Sequence, residues 1–449
     1  MTAMTIRDLN GSIDFEAAGR EMYALVAELY PICRSITGAG FRESLDRLSR
    51  HIALARHDVP TGTPAFDWTV PKEWNITDAW VKNARGERVI DFRRSNLHVL
   101  QYSVPVRRTI SLAELKQHLY TIPQHPQWIP YRSSYYEVRW GFCVEHERLA
   151  QLTEAAYEVC IDSTLEDGSL TYGECAIPGA SDEEFLFSCH ACHPSLCNDN
   201  LSGVALTTYM AKLLAPLDLR YSYRFLFIPG TIGAITWLSR NEHRTPRIRH
   251  GLVVACVGDA GKFHYKRSRR GAEIDRIVEH VLRHSGSEYE VRDFSPYGYD
   301  ERQYCSPGFD LPVGSLTRTP NGCFAEYHTS ADNLDFVAPQ YLAESLKRYL
   351  EVIDVVESNR RYVNTNPKCE PQLGKRGLYG AIGGLPSPER AHMALLWVLN
   401  LADGRHSLLD IAERAGLDFG AIRNAAELLR AHGLLEEVAP PALPPSTEG

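Results

Sequence analysis

The chain has 449 residues, of which 44% are apolar and 23% charged, and its formal net charge is −8. That length exceeds one ordinary domain and points to two or three, and the composition is that of a soluble globular protein. The acidic balance argues against a role in coating nucleic acid. No run approaches the roughly 18 apolar residues of a membrane span.

The opening MTAMTIRDLNGSIDF has no apolar stretch behind a basic start, so no signal peptide is expected. The eleven cysteines are odd in number and scattered, which suits reduced thiols. These absences together give an expectation of a cytoplasmic protein with neither a membrane nor a nucleic-acid partner.

Residues 15–51 have helical spacing, with Met22, Leu25, Val26 and Leu29 on one face and an interruption at Pro31. The texture changes over 67–142, where short β-rich runs alternate with Pro, Gly and Asn turns and carry many aromatics. This reads as a small β-rich unit inserted in the main domain. Its aromatics either form its own core or line a substrate cleft.

Residues 157–175 read as a hairpin about Asp167–Gly168. Strands follow at 185–190, 223–229, 252–257 and 311–316. Helices are predicted at 202–214, 232–241, 272–284 and 339–359. This alternation, with near-continuous apolar strands, predicts an α/β domain with a doubly wound, mostly parallel sheet.

A linker rich in Pro, Gly and Asn spans 364–384. After it, three helices and a terminal strand give the outline of a winged helix over 385–440. Acids outnumber bases there, so it reads as a packing or homo-oligomerisation module, not a DNA reader. Residues 441–449 are disordered by composition.

The chemistry concentrates at 184–203, EFLFSCHACHPSLCNDNLSG. An apolar strand runs into His190 and His193, then into Asp199 between two asparagines. Open α/β sheets place their sites at such strand ends, and imidazole with carboxylate suits zinc. Asp259 follows a strand in GDAG, and His328 lies in EYHTSAD. Singly, such residues are usually helix caps or satisfied polar groups. The joint order His…Asp…Asp…His is what points to one or two zinc ions that activate water and polarise a carbonyl.

The motifs VPKEWNI, NLHVLQYS, CHPSLCNDNLSG, CVGDAG, YKRSRRG, YGYDERQYCSPGF and EYHTSADN follow one another along the chain, and the resemblance they carry extends from Tyr30 to about Val438. In their order, the chain resembles the zinc aminopeptidase clan with the phosphorylase/hydrolase-like fold. More closely, it resembles the bacterial aminopeptidase-like branch with a β-rich insert and a winged-helix tail. The resemblance implies a catalytic domain over 15–66 and 143–362. It also implies that His190 and Asp259 hold one zinc, that Asp199 bridges to a second position, and that His328 holds that position. His193 is an alternative or additional ligand, because the HxxH spacing leaves the alignment open by three residues. Cys192 stands where relatives carry an Asp that orients the first histidine.

The main departure is Gly230, which stands where the general-base Glu is expected; Thr231 stands where a second, metal-binding Glu is expected. A general base contributes on the order of 10²–10⁴-fold. Glu326 is the nearest substitute, or it only holds its loop. The basic run Lys266, Arg267, Arg269 and Arg270 either seats a substrate carboxylate or phosphate or is a solvated turn. Tyr299, Asp300, Arg302 and Tyr304 either shape the substrate pocket or form an ordinary polar loop.

The implied function is a zinc-dependent aminopeptidase-like hydrolase acting on the N-terminal amide of a peptide or aminoacyl-amide metabolite. The alternative is a metal- and ligand-binding protein whose hydrolysis was lost or diverted, serving a biosynthetic pathway. A third reading, a DNA-binding regulator, rests on the winged helix alone.

Overall fold

A computed structural model describes residues 4–379 and 388–438. Its central sheet has eight strands: β1 (Ala55–Pro60), β2 (Ser169–Ile177), β3 (Glu184–His190), β4 (Ser222–Ile228), β5 (Ile248–Val254), β6 (Phe263–Lys266), β7 (Tyr289–Arg292) and β8 (Val313–Thr317). Their order is β1-β2-β4-β3-β5-β8-β6-β7. The middle strands β4, β3, β5 and β8 run parallel. β1, β2 and β4 pair antiparallel at one side, and β6 returns antiparallel to β8 at the other.

Every residue of β3 is buried, which is why its sequence is apolar without alternation. The helix Ser202–Leu214 connects β3 to β4, and Ile232–Asn241 leads from β4 towards β5. β4 and β5 thus flank β3 on opposite sides. The connections diverge at the C-terminal end of β3, where crevices form in such sheets.

β6 and β7 were not anticipated. FHYK and YEVR are short and carry charge, so they lack an apolar run.

The β-rich insert is a four-stranded antiparallel sheet of Glu73–Lys82, Arg88–Asp91, Val106–Ser111 and Ala156–Glu166. It therefore takes a strand from beyond the expected limit at 142. The hairpin expected over 157–175 does not pair with itself. Ala156–Glu166 joins the insert sheet, whereas β2 joins the central one.

Glu73 holds the turn between them, accepting from Ser169 N at 3.0 Å and pairing with Arg42. That guanidinium holds the Glu73 carboxyl down at about 2. A Cβ on Gly168 would sit 2.6 Å from Glu73 Cβ, so the turn needs glycine there.

The described residues fall into two compact units. One runs to Asp275 and resumes from Ser287 to Leu350; the other holds Arg276–Gly286 and the residues from Glu351 on. The second unit includes the helices Pro388–Leu401, Leu408–Ala415 and Phe419–Ala431. Its three-stranded sheet has Arg361–Asn364 between Asp403–Ser407 and Leu435–Glu437. The central strand lies upstream of the boundary expected at 385.

Ser407 and Asp410 form a capping box, and Asp418 caps the third helix. Arg423 on that helix is bound to Asp354 at 2.5 and 2.6 Å. Arg276 engages Asp410 at 2.6 Å.

The tail 441–449, expected to be disordered, and part of the expected linker lie outside the described residues. No described helix is long and apolar enough to cross a membrane. The eleven cysteines carry no disulfide.

The Arg423–Asp354 pair is mostly buried, with side-chain exposures of 11% and 17%. Removing one member leaves the other charge unmatched. Arg423→Ala is expected to cost about 1–3 kcal/mol, read as a lower urea midpoint by circular dichroism.

Candidate metal centre

The turn after β3 is held by its own amides. Asn200 Nδ2 donates to the carbonyls of His190 (3.1 Å) and Val254 (3.0 Å), and its Oδ1 accepts from Cys256 N at 3.2 Å. One side chain therefore ties the ends of β3 and β5 together. A Cβ on Gly203 would fall 2.4 Å from Asn200 Oδ1 and 2.7 Å from the Val254 carbonyl. Asn-x-Ser-Gly is thus a packing requirement. Asp332 accepts from the backbone N–H groups of Asn198 (2.6 Å) and Asp199 (2.9 Å) and so fixes the next residues.

The Asp199 carboxylate, fully buried, lies at the centre. His190 Nε2 is 2.8 Å from Oδ1, and Tyr299 donates its hydroxyl to the same oxygen at 2.7 Å. His328 Nε2 is 2.9 Å from Oδ2. His193 Nδ1 is 3.3 Å from Oδ2 and 3.1 Å from the Asp199 carbonyl. Ligand atoms of His190, His193 and Asp199 all lie within 4.8 Å of one another.

Among the described residues no lysine or arginine bonds to this carboxylate. Burial pushes the Asp199 carboxyl up, but the imidazoles, His193 foremost, overcome this and hold it well below the usual range. Burial lowers His190 and His328. For His193 burial acts downward too, and the Asp199 charge outweighs it. A buried anion surrounded by imidazoles fits a divalent zinc ion, whose favoured ligands these are.

His328 reaches the cluster from a left-handed backbone, φ +55°. The insert holds it there: Tyr131 N donates to the His328 carbonyl at 2.8 Å, and Pro130 bridges Thr329. The Tyr131 ring lies 5.2 Å from that of His193 and 5.1 Å from that of His328. Arg34, buried, donates from Nε to the His193 carbonyl at 3.0 Å. Sequence reasoning missed Arg34, Tyr131 and Asp332; only Asp332 carried a signal, as a member of EYHTSADN.

Asp259 does not join the cluster. Its Oδ2 accepts from Asn198 Nδ2 (2.8 Å) and Thr319 N (3.2 Å), and its Oδ1 from Gly261 N (2.6 Å) and Thr319 Oγ1 (2.7 Å). β5 ends at Val254. The residue of this loop that faces the cluster is Cys256, with φ +50° and Sγ 3.6 Å from the Tyr299 hydroxyl.

Gly230 lies against His190: an added Cβ would be 3.1 Å from His190 Cβ and 3.5 Å from its Cγ. Glu326 is half-buried. Its carbonyl accepts from Thr329 N and Oγ1, and it is not among the residues hydrogen-bonded to Asp199.

Asp300 is 0% exposed, and neither carboxylate oxygen has a hydrogen-bond partner. Burial, reinforced by Glu301 and opposed by Arg302 and His193, pushes it up to about 8. Tyr304 bonds Ser188 of β3 at 2.9 Å, and Arg302 keeps a buried, unpartnered Nε.

The basic run is not gathered over the cluster. Lys266 pairs with Glu301 at 2.8 Å, Arg267 with Asp293 at 2.6 Å and Arg269 with Asp310 at 2.8 Å, while Arg270 is exposed.

The mostly parallel sheet with imidazoles and a carboxylate at its strand ends has an aminopeptidase-like fold, and a winged helix follows it in the chain. Residues 23–359 match the family described as a domain of unknown function, DUF4910, and the chain belongs to that family. Residues 360–437 match a winged helix-turn-helix family.

A protein of Clostridium acetobutylicum, provisionally named for polysaccharide biosynthesis and an aminopeptidase-like domain, is 57% identical over 421 residues. The match covers 94% of this chain and 97% of that one. A crystal structure from the same organism, provisionally described as a peptidase, has 55% identity and a TM-score of 0.92, covering 96% of this chain and 100% of that one. A zinc aminopeptidase from Bacillus subtilis shares the fold at a TM-score of 0.55 and 10% identity, over 75% of this chain and 95% of that one.

Two predictions follow from this geometry. His190→Ala and His328→Ala should each weaken zinc binding about 100-fold or more, and Asp259→Asn less than about tenfold, read by competition with a chromogenic chelator. Asp300 has a folded pKa raised above its unfolded value near 3.8. Its contribution to stability is therefore full below about pH 4 and lost as pH rises through about 8. Asp300→Asn should flatten the decline of urea stability across that window.

Proposed function

We propose that this chain is a zinc-dependent hydrolase of the aminopeptidase type, acting on the amide bond beside a free amino group in a peptide or aminoacyl-amide metabolite. The observation that carries this reading is the buried Asp199 carboxylate ringed by three imidazoles, with no lysine or arginine bonded to it among the described residues. His190, Asp199 and His328 would hold the ion, with His193 as an additional ligand. With Asp259 engaged elsewhere and no carboxylate at Gly230 or Thr231, these residues suit one ion better than two. Zinc supplies Lewis acidity toward a carbonyl and acidifies water.

The chain's own residues do the rest. Tyr299 and Asp332 fix the Asp199 carboxylate and backbone. Asp300, a buried carboxyl with no hydrogen-bond partner among the described residues and within electrostatic reach of His193, is the better candidate than Glu326 for the proton acceptor missing at Gly230. The winged helix serves packing or oligomerisation, since Arg423 is committed to Asp354, and the compartment is the cytoplasm.

A second reading has one specific observation in its favour. Gly230 packs directly on His190, so the absent carboxylate is built into the site and hydrolysis is diverted to a biosynthetic step.

The test is turnover on a panel of aminoacyl p-nitroanilides and short peptides. The hydrolase reading expects activity that is lost on chelation, restored by zinc, and reduced about 10²–10⁴-fold by Asp300→Asn with zinc content unchanged. No activity on any substrate, with a gain in Gly230→Glu, would favour diversion. Activity that survives chelation would contradict both.

A further inference from the structure

A cavity of about 350 Å³ lies between the Phe66–Trp68 tip and the helices Ile232–Asn241 and Glu301–Tyr304. We propose that it is a subsite for a neutral pyranose ring, the non-reacting part of the substrate. Its meaning as a substrate subsite rests on the hydrolase reading above; the ligand chemistry does not.

The strongest observation is the tip itself. Pro64–Ala65 and Trp68–Thr69 pair as a two-residue hairpin with Phe66 and Asp67 in the turn. Phe66 has φ +56° and is 53% exposed. Such turns favour Asn or Gly, and a bulky residue in the left-handed region is costly. Strain of that kind persists where a function retains it. Here it presents an aromatic ring to solvent, beside Trp68, which is itself 44% exposed.

The lining selects the ligand. The lining holds two aliphatic side chains, Ile235 and Leu238, and the rings of Phe66, Trp68 and Phe309. The Phe66 and Phe309 rings pack edge-on at 5.6 Å, leaving no aromatic box for a cation. A charged group set against these apolar side chains would lose its water. The C–H face of a sugar ring would lie there at no such cost, against the electron-rich ring faces. The acceptors Asp67, Glu242, Gln303 and Ser306 complete the lining and suit ring hydroxyls. The charged lining residues are both carboxylates, which disfavours phosphate or a carboxylate ligand.

Elements that line the cavity also carry or adjoin residues of the site. Trp68 lies 5.4 Å from Tyr136. The neighbouring Tyr135 bonds Tyr131 through their hydroxyls, and Tyr131 packs on His193 and His328. The helix carrying Ile235 and Leu238 begins just after Gly230, and Gln303 is three residues beyond Asp300.

The experiment is saturation-transfer difference NMR on the full chain. The probes are methyl glycosides of glucose, galactose, mannose and N-acetylglucosamine, with n-butylammonium as the cationic comparator. The proposal expects saturation of ring C–H protons in at least one glycoside, reduced about fivefold or more in Trp68→Ala. Gly308→Trp should plug the cavity with the same loss. A Cβ at Gly308 meets nothing within 4 Å, so this variant decides the matter should Trp68→Ala fail to fold.

Asp199→Ala should retain glycoside binding. If wild-type protein binds glycoside but not zinc, the hydrolase reading falls and the cavity assignment stands. Three results would overturn the proposal: no glycoside saturated, signals undiminished in the folded variants, or n-butylammonium bound in place of every glycoside.

Discussion

The Asp199 carboxylate is a negative charge taken entirely out of water, with no lysine or arginine among the described residues bonded to it. Burying a lone carboxylate costs several kcal/mol even after relaxation. In this chain that cost is offset by imidazoles, a phenol and a fixed backbone. His190 and His328 approach one oxygen each, Tyr299 donates to one of them, and Asp332 holds the peptide from behind. Such an arrangement leaves the group poised for a divalent cation, and the rest of the site is arranged around it.

Support for that charge comes from three directions. Asn200 ties the ends of β3 and β5. Gly203 permits the close approach that this needs. The insert reaches over through Pro130 and Tyr131 to hold the loop that carries His328. The insert therefore acts as a wall of the site as well as a unit with its own core. The Phe66–Trp68 tip, in a hairpin of its own, lines a separate cavity.

The parallel core was legible because β3, β4 and β5 are buried nearly throughout, and such strands show as apolar runs. β6 and β7 were not legible, because short strands with charged residues resemble loops. The turn of Asp167–Gly168 was visible, but which sheet each arm joined depended on distant strands.

At the site, His190, His193, Asp199 and His328 were legible as residue types that suit zinc. Asp259 shows the limit of that reasoning. A carboxylate near a strand end looks like a ligand, yet Thr319 and Asn198 claim it. Sequence alone does not show that the basic run would find Glu301, Asp293 and Asp310. Nor does it show that Asp300 would find no partner. These facts depend on which distant groups meet, and motif spacing does not encode that.

The account depends on a metal at Asp199. The most direct measurement is anomalous diffraction above and below the zinc edge from crystals of the full chain grown with zinc. The account predicts an anomalous peak touching Asp199, His190 and His328, and none at Asp259. A featureless map at Asp199, or a peak held by Asp259 without it, would contradict it.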